Sequence, residues 1–131
     1  MAAGYATGLR NSMLDQITAK ADAGSGPSLT RVYDGSRPAT GASIGGAVLL
    51  VEVTNDDPFA PSASGGVLSP TLTGPTTVIA DGTATWFRVV DSAGTFVLDG
   101  SVGVEMSINF PDLVTSQPFE IVTWTVTAGN A

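Results

Sequence analysis

Carboxylates are the side chains of this sequence that could take part in catalysis. The candidates are four acidic residues of the C-terminal half, Asp91, Asp99, Glu105 and Glu120. A pair of such groups would supply the acid and the nucleophile or base of a glycoside hydrolase. Each is equally well explained as a turn residue or as the solvent side of an alternating strand. No aromatic pocket with a neighbouring His or Arg marks a catalytic acid, so we expect the protein not to be an enzyme.

Metal and cofactor sites have little support in the sequence. Asp56 and Asp57 are adjacent, and Asp-Gly pairs occur at Asp34, Asp81 and Asp99. None has the ligand spacing of a calcium loop, and Asp is common in turns for conformational reasons. The chain contains no Cys and no His, which excludes thiolate zinc sites, thiol nucleophiles and imidazole bases. We expect no metal and no cofactor, with calcium as a minor alternative.

Trp86 and Arg88 are two residues apart on a predicted strand and therefore share one of its faces. They could form a cation–π pair that serves as a platform for a sugar or a protein partner. The structural interpretation is that Trp86 or Phe87 points inward while Arg88 covers the ring edge. We favour this second interpretation, because one exposed aromatic residue does not form a binding cage.

The charge of the chain limits its partners. Twelve acidic and five basic residues give a formal net charge of −7, and the basic residues form no run. Binding to phosphate backbones or to anionic lipids requires several Lys and Arg on one face, so we expect neither nucleic acid nor a membrane as a partner. The first residues, Met1–Tyr5, lack the pattern of a signal peptide. The longest strongly apolar stretch, Ala47–Val51, is too short to cross a bilayer.

The N-terminal part of the chain is predicted to be helical from about Thr7 to Ala23. Thr7 is a candidate N-cap and Gly24 a candidate stop. An apolar residue recurs every four positions, at Leu9, Met13, Ile17 and Ala21. A single helix of this length is not stable alone, so its stripe must pack on a sheet or on a neighbouring subunit. A flexible break at residues 24–27 then separates a helical segment, 1–27, from a β domain, 28–131.

The second segment is predicted to be all β. Asp81-Gly82 and Asp91–Gly94 are each expected to close a hairpin, Pro58–Gly66 is expected to be a long irregular loop, and Pro70 argues for an edge strand. About seven or eight short strands with frequent turns are typical of an antiparallel β-sandwich or jelly-roll-like domain. The predicted strands include Leu29–Tyr33, Ala47–Thr54, Val78–Ala80, Ala84–Val90, Phe96–Leu98, Val102–Phe110 and Phe119–Ala128.

Three segments of the chain resemble one protein family. Residues 7–15, Thr-Gly-Leu-Arg-Asn-Ser-Met-Leu-Asp, are similar to the start of small structural proteins of tailed bacteriophages. Residues 82–91 and 97–103 resemble the Trp-Phe-Arg…Asp-Gly-Ser-Val-Gly core of the same group, and residues 31–39 fit its intervening strand and turn. The family varies after this core, so residues 104–131 carry little transferable meaning.

The resemblance implies a non-enzymatic virion protein that is synthesised in the host cytoplasm. We expect a capsid decoration or cement protein; a neck, tail or fibre component and a carbohydrate-binding adhesion module are the alternatives. The expected partners are other virion proteins, such as the major capsid protein, and further copies of the chain in a homo-oligomer. The N-terminal segment and the 58–66 loop are expected to become ordered against neighbouring subunits. The residues expected to make contacts are Leu9, Met13, Ile17, Trp86 and Arg88.

Overall fold

The structure is a computed structural model that describes residues 4–128. Residues 1–3 and 129–131 lie outside the described residues. The outer bounds of the two predicted segments, 1–27 and 28–131, and part of the stretch considered for a signal peptide fall on them. Between residues 4 and 128 the chain forms one helix and twelve strands: α1 (Thr7–Ala21), β1 (Leu29–Tyr33), β2 (Leu49–Thr54), β3 (Val67–Leu68), β4 (Thr76–Thr77), β5 (Gly82–Thr83), β6 (Trp86–Val90), β7 (Phe96–Ser101), β8 (Met106–Ile108), β9 (Asp112–Leu113), β10 (Pro118–Phe119), β11 (Ile121–Trp124) and β12 (Val126–Thr127).

The protein is mainly β, with 34% of residues in strands and 12% in helix. The largest sheet is four-stranded and antiparallel, in the order β2-β1-β6-β7. The remaining strands form four antiparallel pairs, β10-β4, β11-β8, β12-β3 and β5-β9. The helix α1 is too short to cross a membrane, and the described part of the chain contains no other helix.

The sheet strands agree closely with the sequence pattern. The strand predicted at Leu29–Tyr33 is β1, and the predicted hairpin around Asp91–Gly94 joins β6 to β7. In that turn Gly94 donates its N–H to the Asp91 carbonyl and has a φ of 88°, a left-handed conformation that glycine adopts without steric cost. The β6–β7 hairpin is local, and its turn residues mark its position in the sequence.

The hairpin predicted at Asp81-Gly82 is wrong. The Ile79 and Ala80 amides donate to the carbonyl of Leu50, while β5 pairs with β9, about thirty residues further along the chain. Gly82 has no positive φ, and a Cβ at this position would lie 2.8 Å from the Leu50 side chain. The glycine is therefore required by the close approach of Leu50 and not by a type I′ turn.

The long strand predicted at Val102–Phe110 is also wrong, because only β8 in its middle is a strand. Gly103 has a φ of 90° and donates its N–H to the Met106 carbonyl at 2.6 Å, which turns the chain before β8 begins. Val104, at the tip of this turn, is 78% exposed. The strand predicted at Phe119–Ala128 is likewise divided into short pieces. The apolar and polar residues alternate along these stretches of sequence, but turns between the short strands interrupt the extended backbone.

The core lies on the inner face of the four-stranded sheet. Val32, Val51 and Phe87 form one buried row across β1, β2 and β6. The Phe87 ring meets Trp124 of β11 edge to face, with centroids 5.5 Å apart. Trp124 also meets Phe59 edge to face, at 5.3 Å. The short strand pairs therefore cover the sheet with aromatic residues, whose burial supplies much of the hydrophobic stabilisation.

The helix packs on the core through the C-terminal part of the predicted stripe, Ile17 and Ala21, together with Leu14, which lies outside that stripe. Leu14 and Ala21 are buried in the common core, and Ile17 packs against it. Leu9 and Met13, by contrast, remain 49% and 45% exposed. Because Leu14 and Ala21 belong to the same cluster as the strands, the boundary predicted at residue 27 separates two stretches of chain but not two cores. The helix begins at Thr7 without a side-chain cap and ends at Ala21, so the capping role of Thr7 is also incorrect.

Polar side chains attach the helix to the 58–66 loop. Asp22 accepts the Phe59 amide at 3.1 Å, Asp15 accepts the amide of residue 63 at 2.7 Å, and Asn11 accepts that of residue 66 at 2.8 Å. These side chains satisfy backbone groups of an irregular segment that would otherwise lack partners. The helix and the loop, which the sequence analysis expects to become ordered on neighbouring subunits, are therefore ordered by each other.

We predict that Asp15→Ala lowers the free energy of unfolding by about 1.5 kcal/mol, the contribution of a hydrogen bond to a charged group at a partly exposed position. Amide exchange at residues 59–66 should accelerate in the same variant. Gln16→Ala is the control, since Gln16 is the exposed neighbour and its truncation should change the stability by less than about 0.5 kcal/mol. Urea unfolding and exchange mass spectrometry measure both effects. Equal stability of the two variants would contradict this account of the helix.

Candidate functional site

The outer face of the four-stranded sheet is centred on an ion pair between Arg88 and Asp99. Arg88 Nε and Nη2 donate to the two Asp99 carboxylate oxygens at 2.7 and 3.0 Å. The Asp99 side chain is fully buried and that of Arg88 is 11% exposed. The hydrogen bond to Asp99 raises the pKa of Arg88 above its ordinary value, and burial opposes this shift. Arg88 therefore stays positively charged at every physiological pH, and its charge is compensated within the pair.

The 37–42 segment covers this pair with backbone groups. Gly41 donates its N–H to Asp99 Oδ2 at 3.0 Å, and the Ala42 carbonyl accepts from Arg88 Nη2 at 2.7 Å. Arg37 donates to the Asp99 carbonyl at 3.1 Å and to the Ser101 hydroxyl at 3.2 Å. Asp99, a catalytic candidate in the sequence analysis, therefore has no access to a substrate. Its carboxylate holds a loop on a sheet.

Aromatic rings complete the same face. The Arg88 guanidinium carbon lies 5.4 Å from the Trp86 ring centroid and 5.2 Å from that of Phe96. Trp86 stacks on Tyr33 at 4.6 Å and donates its indole N–H to the Asp34 carbonyl at 3.0 Å. The cation–π contact expected from the two-residue spacing is present. Trp86 is nevertheless completely buried, so it offers no indole surface to a sugar or a protein partner, and its role as an interaction residue is not supported.

Two of the three segments singled out in the sequence, residues 31–39 and residues 82–103, meet on this face, whereas residues 7–15 lie on α1. Trp86, Phe87 and Arg88 pair in register with Ser101, Gly100 and Asp99. Phe87 points to the core from this pairing, and its ring occupies the space in which a Cβ of Gly100 would lie. Residues 31–39 supply Tyr33, Asp34 and Arg37 to the same face. The motif is thus a cross-strand pairing, in which each residue type fits the residue that it opposes.

A row of charges crosses all four strands at one level. Glu52 of β2 lies opposite Arg31 of β1, Arg31 opposite Arg88 of β6, and Arg88 opposite Asp99 of β7. Arg31 Nε and Glu52 Oε2 are 2.8 Å apart, and both side chains are about one-third exposed. The two arginines repel each other as direct neighbours, and the carboxylate on either side compensates this repulsion. The exposed pair, Arg31 and Glu52, contributes little stability. The buried pair, Arg88 and Asp99, contributes specificity for one register of the strands.

The other catalytic candidates also have structural roles or lie in solvent. Asp91 accepts the Ala93 and Thr95 amides at 2.9 Å each, within the β6–β7 turn. Glu105 accepts the Ser101 amide at 3.1 Å, and Glu120 is exposed. Asp56 and Asp57 are exposed as well. Over residues 4–128 no three Asp, Glu, His or Cys side chains cluster as a metal site would require.

The remaining candidate residues lie on the helix surface. Met13 and Ile17 help to form a groove of about 300 Å³ between α1 and β7, the edge strand of the large sheet. Leu9 continues the same stripe one turn earlier. Four further residues line the groove and were not among the candidates from the sequence: Gln16, Lys20, Phe96 and Val97. Lys20 follows Met13 and Ile17 at helical spacing and could have been identified by it, whereas Phe96 comes from a strand whose position depends on the fold.

A second cavity, of about 510 Å³, lies along the 110–117 segment. Phe110 and Val114 are 53% and 57% exposed in it. Asp81 Oδ1 accepts the Thr115 amide at 2.6 Å and the Thr115 hydroxyl at 2.7 Å. These two hydrogen bonds lower the pKa of Asp81 below its ordinary value, and the bond from the Thr115 amide has the larger effect. The segment is therefore fixed in place although most of its residues are exposed.

Comparisons of this chain with protein-family models, with curated proteins and with solved structures found no match.

We predict that Asp99→Asn lowers the free energy of unfolding by about 3 kcal/mol, because it leaves the buried Arg88 charge without its partner. The matched control is Glu52→Gln at the exposed end of the same charged row, where the loss should stay below about 1 kcal/mol. Urea unfolding of both variants at one pH and salt concentration measures the difference. Equal losses would show that the buried pair does not hold the sheet.

We also predict that Asp81 titrates below 3.8, its ordinary pKa. Because the pKa of Asp81 is lower in the folded protein, its bonds to Thr115 stabilise the 110–117 segment fully when the pH is above the pKa of Asp81 in the unfolded chain. This stabilisation is lost as the pH falls through the pKa of Asp81 in the folded protein. An NMR titration of the Asp81 carboxyl, with the Thr115 amide as reporter, measures this. Thr115→Val should return the midpoint only partly toward 3.8, since the backbone bond remains. A wild-type midpoint at or above the ordinary value would be the contrary result.

Proposed function

We propose that this protein is a non-enzymatic structural component of a bacteriophage virion, and specifically a capsid decoration or cement protein. The observation that carries the proposal is that two of the three phage-like regions, residues 31–39 and residues 82–103, meet on one sheet face. There the motif residues bind each other and leave no group free for a reaction. Residues that would be expected to define an activity instead define a rigid unit.

The surface supports a role in binding other proteins. Met13 and Phe96 remain partly exposed beside each other in the groove between α1 and β7, and apolar exposure in a groove is typical of protein-binding sites. The net charge of −7 disfavours contact with packaged DNA. Many copies that each bury a small apolar contact can stabilise a shell through multivalency. The partners in this proposal are the major capsid protein and neighbouring copies of the chain.

The proposal includes a sandwich-like arrangement of the β domain. The four-stranded sheet forms one layer, and the short strand pairs form the second. Support comes from the edge-to-face contact of Trp124 in β11 with Phe87 in β6, which joins the two layers through the core. Two facing antiparallel layers around one core are the arrangement of a β-sandwich.

Glycan binding is the weaker alternative. A carbohydrate-binding module of this kind would expose an aromatic patch at a tryptophan, and Trp86 and Trp124, the two tryptophans of the chain, are 0% and 4% exposed. A sugar stacks on the open face of an aromatic ring, and neither indole provides one. A neck or tail position within the virion remains an alternative to the capsid.

The test is to locate the protein in particles. We predict that it co-purifies with virions produced from its own genome through a density gradient, at high copy number by mass spectrometry. Immunogold labelling should then decorate the capsid. Labelling of the neck or tail would disprove the decoration role and support the alternative location. Absence from purified particles would disprove the virion proposal as a whole.

A further inference from the structure

The groove between α1 and β7 combines an apolar surface with a free positive charge. Its lining residues are Met13, Gln16, Ile17, Lys20, Phe96 and Val97. Met13 and Phe96 are 45% and 38% exposed, so neither ring nor thioether is fully covered by the described chain. An occupant of this groove would bury apolar surface next to an ammonium group.

Lys20 differs from the other basic residues of the protein. Within residues 4–128 the four arginines all form hydrogen bonds or ion pairs, with the carbonyl of Ala128, with Glu52, with Ser101 and with Asp99. Lys20 makes no such contact in the described part of the chain. A segment that fits the groove should therefore present a large apolar side chain and a carboxylate close together.

The chain itself contains such a segment at residues 110–114, Phe-Pro-Asp-Leu-Val. Phe110 is 53% exposed, Val114 is 57% exposed, and Asp112 is exposed between them. The segment shares no residue with the groove lining. Its own contacts hold it in shape: the Pro111 carbonyl accepts the Ala84 amide at 2.8 Å, and Asp112 Oδ1 accepts the Thr83 hydroxyl at 2.9 Å.

A preformed segment loses little conformational entropy when it binds. Asp112 has a second carboxylate oxygen beside the one that accepts from Thr83, and a carboxylate can accept several hydrogen bonds. Its charge is thus available to a cation from outside. The 110–114 segment and the groove complement each other in both charge and apolar character, although they lie on different elements of the fold.

We propose that the chain associates head to tail, with the 110–114 segment of one copy in the α1–β7 groove of the next. Phe110 packs against Met13 and Phe96, and Asp112 pairs with Lys20. Because the two surfaces differ, the contact is heterologous and repeats into a ring or an open array. This contact deepens the virion role proposed above, and it rests on that role for its biological purpose.

Sedimentation velocity of two surface variants tests the contact in purified protein. Met13→Asp removes the groove and Phe110→Asp removes the inserted segment, so each variant alone should be monomeric at concentrations at which the wild type assembles. Mixed in equal amounts, the two variants retain one intact groove and one intact segment between them. They should therefore form a 1:1 dimer and nothing larger. Val104→Asp, at an exposed position on neither surface, should assemble as the wild type does.

Every other pattern overturns the proposal. A wild type that stays monomeric shows that the two surfaces do not bind. A mixture that stays monomeric shows that they are not partners, and a Phe110→Asp variant that still dimerises shows that grooves bind each other. Circular dichroism of each variant verifies that it is folded.

Charge reversal tests the Lys20–Asp112 pair. Lys20→Glu and Asp112→Lys should each weaken the association by about tenfold, and the double variant should recover most of this loss. No recovery in the double variant would overturn the assigned pairing. The virion role is tested separately by co-purification with particles. A monomeric protein that is present in virions disproves only the head-to-tail contact, and an assembling protein that is absent from virions disproves only the virion role.

Discussion

The buried pair of Arg88 and Asp99 is the constraint on which the rest of the structure depends. A charged side chain can be buried here only if its partner lies directly opposite on the next strand. This requirement fixes the register of β6 against β7, and a shift of one residue would turn Arg88 into the core and Phe87 into solvent. With the register fixed, Phe87 reaches Trp124 on one face, and the 37–42 segment covers the pair on the other. The aromatic core and the covering loop thus have a common origin.

The same constraint determines which surfaces are available for function. Asp99 and Asp91 satisfy backbone groups around β6 and β7, and Asp15 and Asp22 do so for the loop that lies against the helix. Much of the acidic character of the chain therefore serves irregular backbone and is not available for acid–base chemistry. The exposed surface includes apolar side chains at α1 and at residues 110–114, each next to a single charged residue. This distribution is the one that the proposed structural role requires, because a rigid centre would keep contacts with other proteins in fixed relative positions.

The sequence predicted the parts of the fold that local pattern determines. Strand β1 and the β6–β7 hairpin follow from alternation and from the turn at Asp91–Gly94. The pairing of Arg88 with Asp99 could not be predicted, because a register shift near Val97 moves Asp99 opposite Arg88, whereas a regular hairpin would place Leu98 there. The prediction of one strand over Val102–Phe110 was wrong for a related reason. Gly103 turns the chain, and the alternation of apolar and polar side chains does not indicate this turn. On the helix, the predicted stripe packs only at Ile17 and Ala21, and Leu9 and Met13 remain exposed. Which part of the stripe is covered depends on tertiary contacts that the helical spacing does not reveal.

The central claim is that a rigid sheet presents the helix face and the 110–114 segment to other copies in a particle. Hydrogen exchange of the free protein and of the same protein in assembled virions tests it most directly. We expect slow exchange at residues 86–90 and 96–101 in both states. New protection in the particle should appear at residues 9–20 and 110–114. Rapid exchange in the sheet of the free protein, or new protection confined to other surfaces, would contradict it.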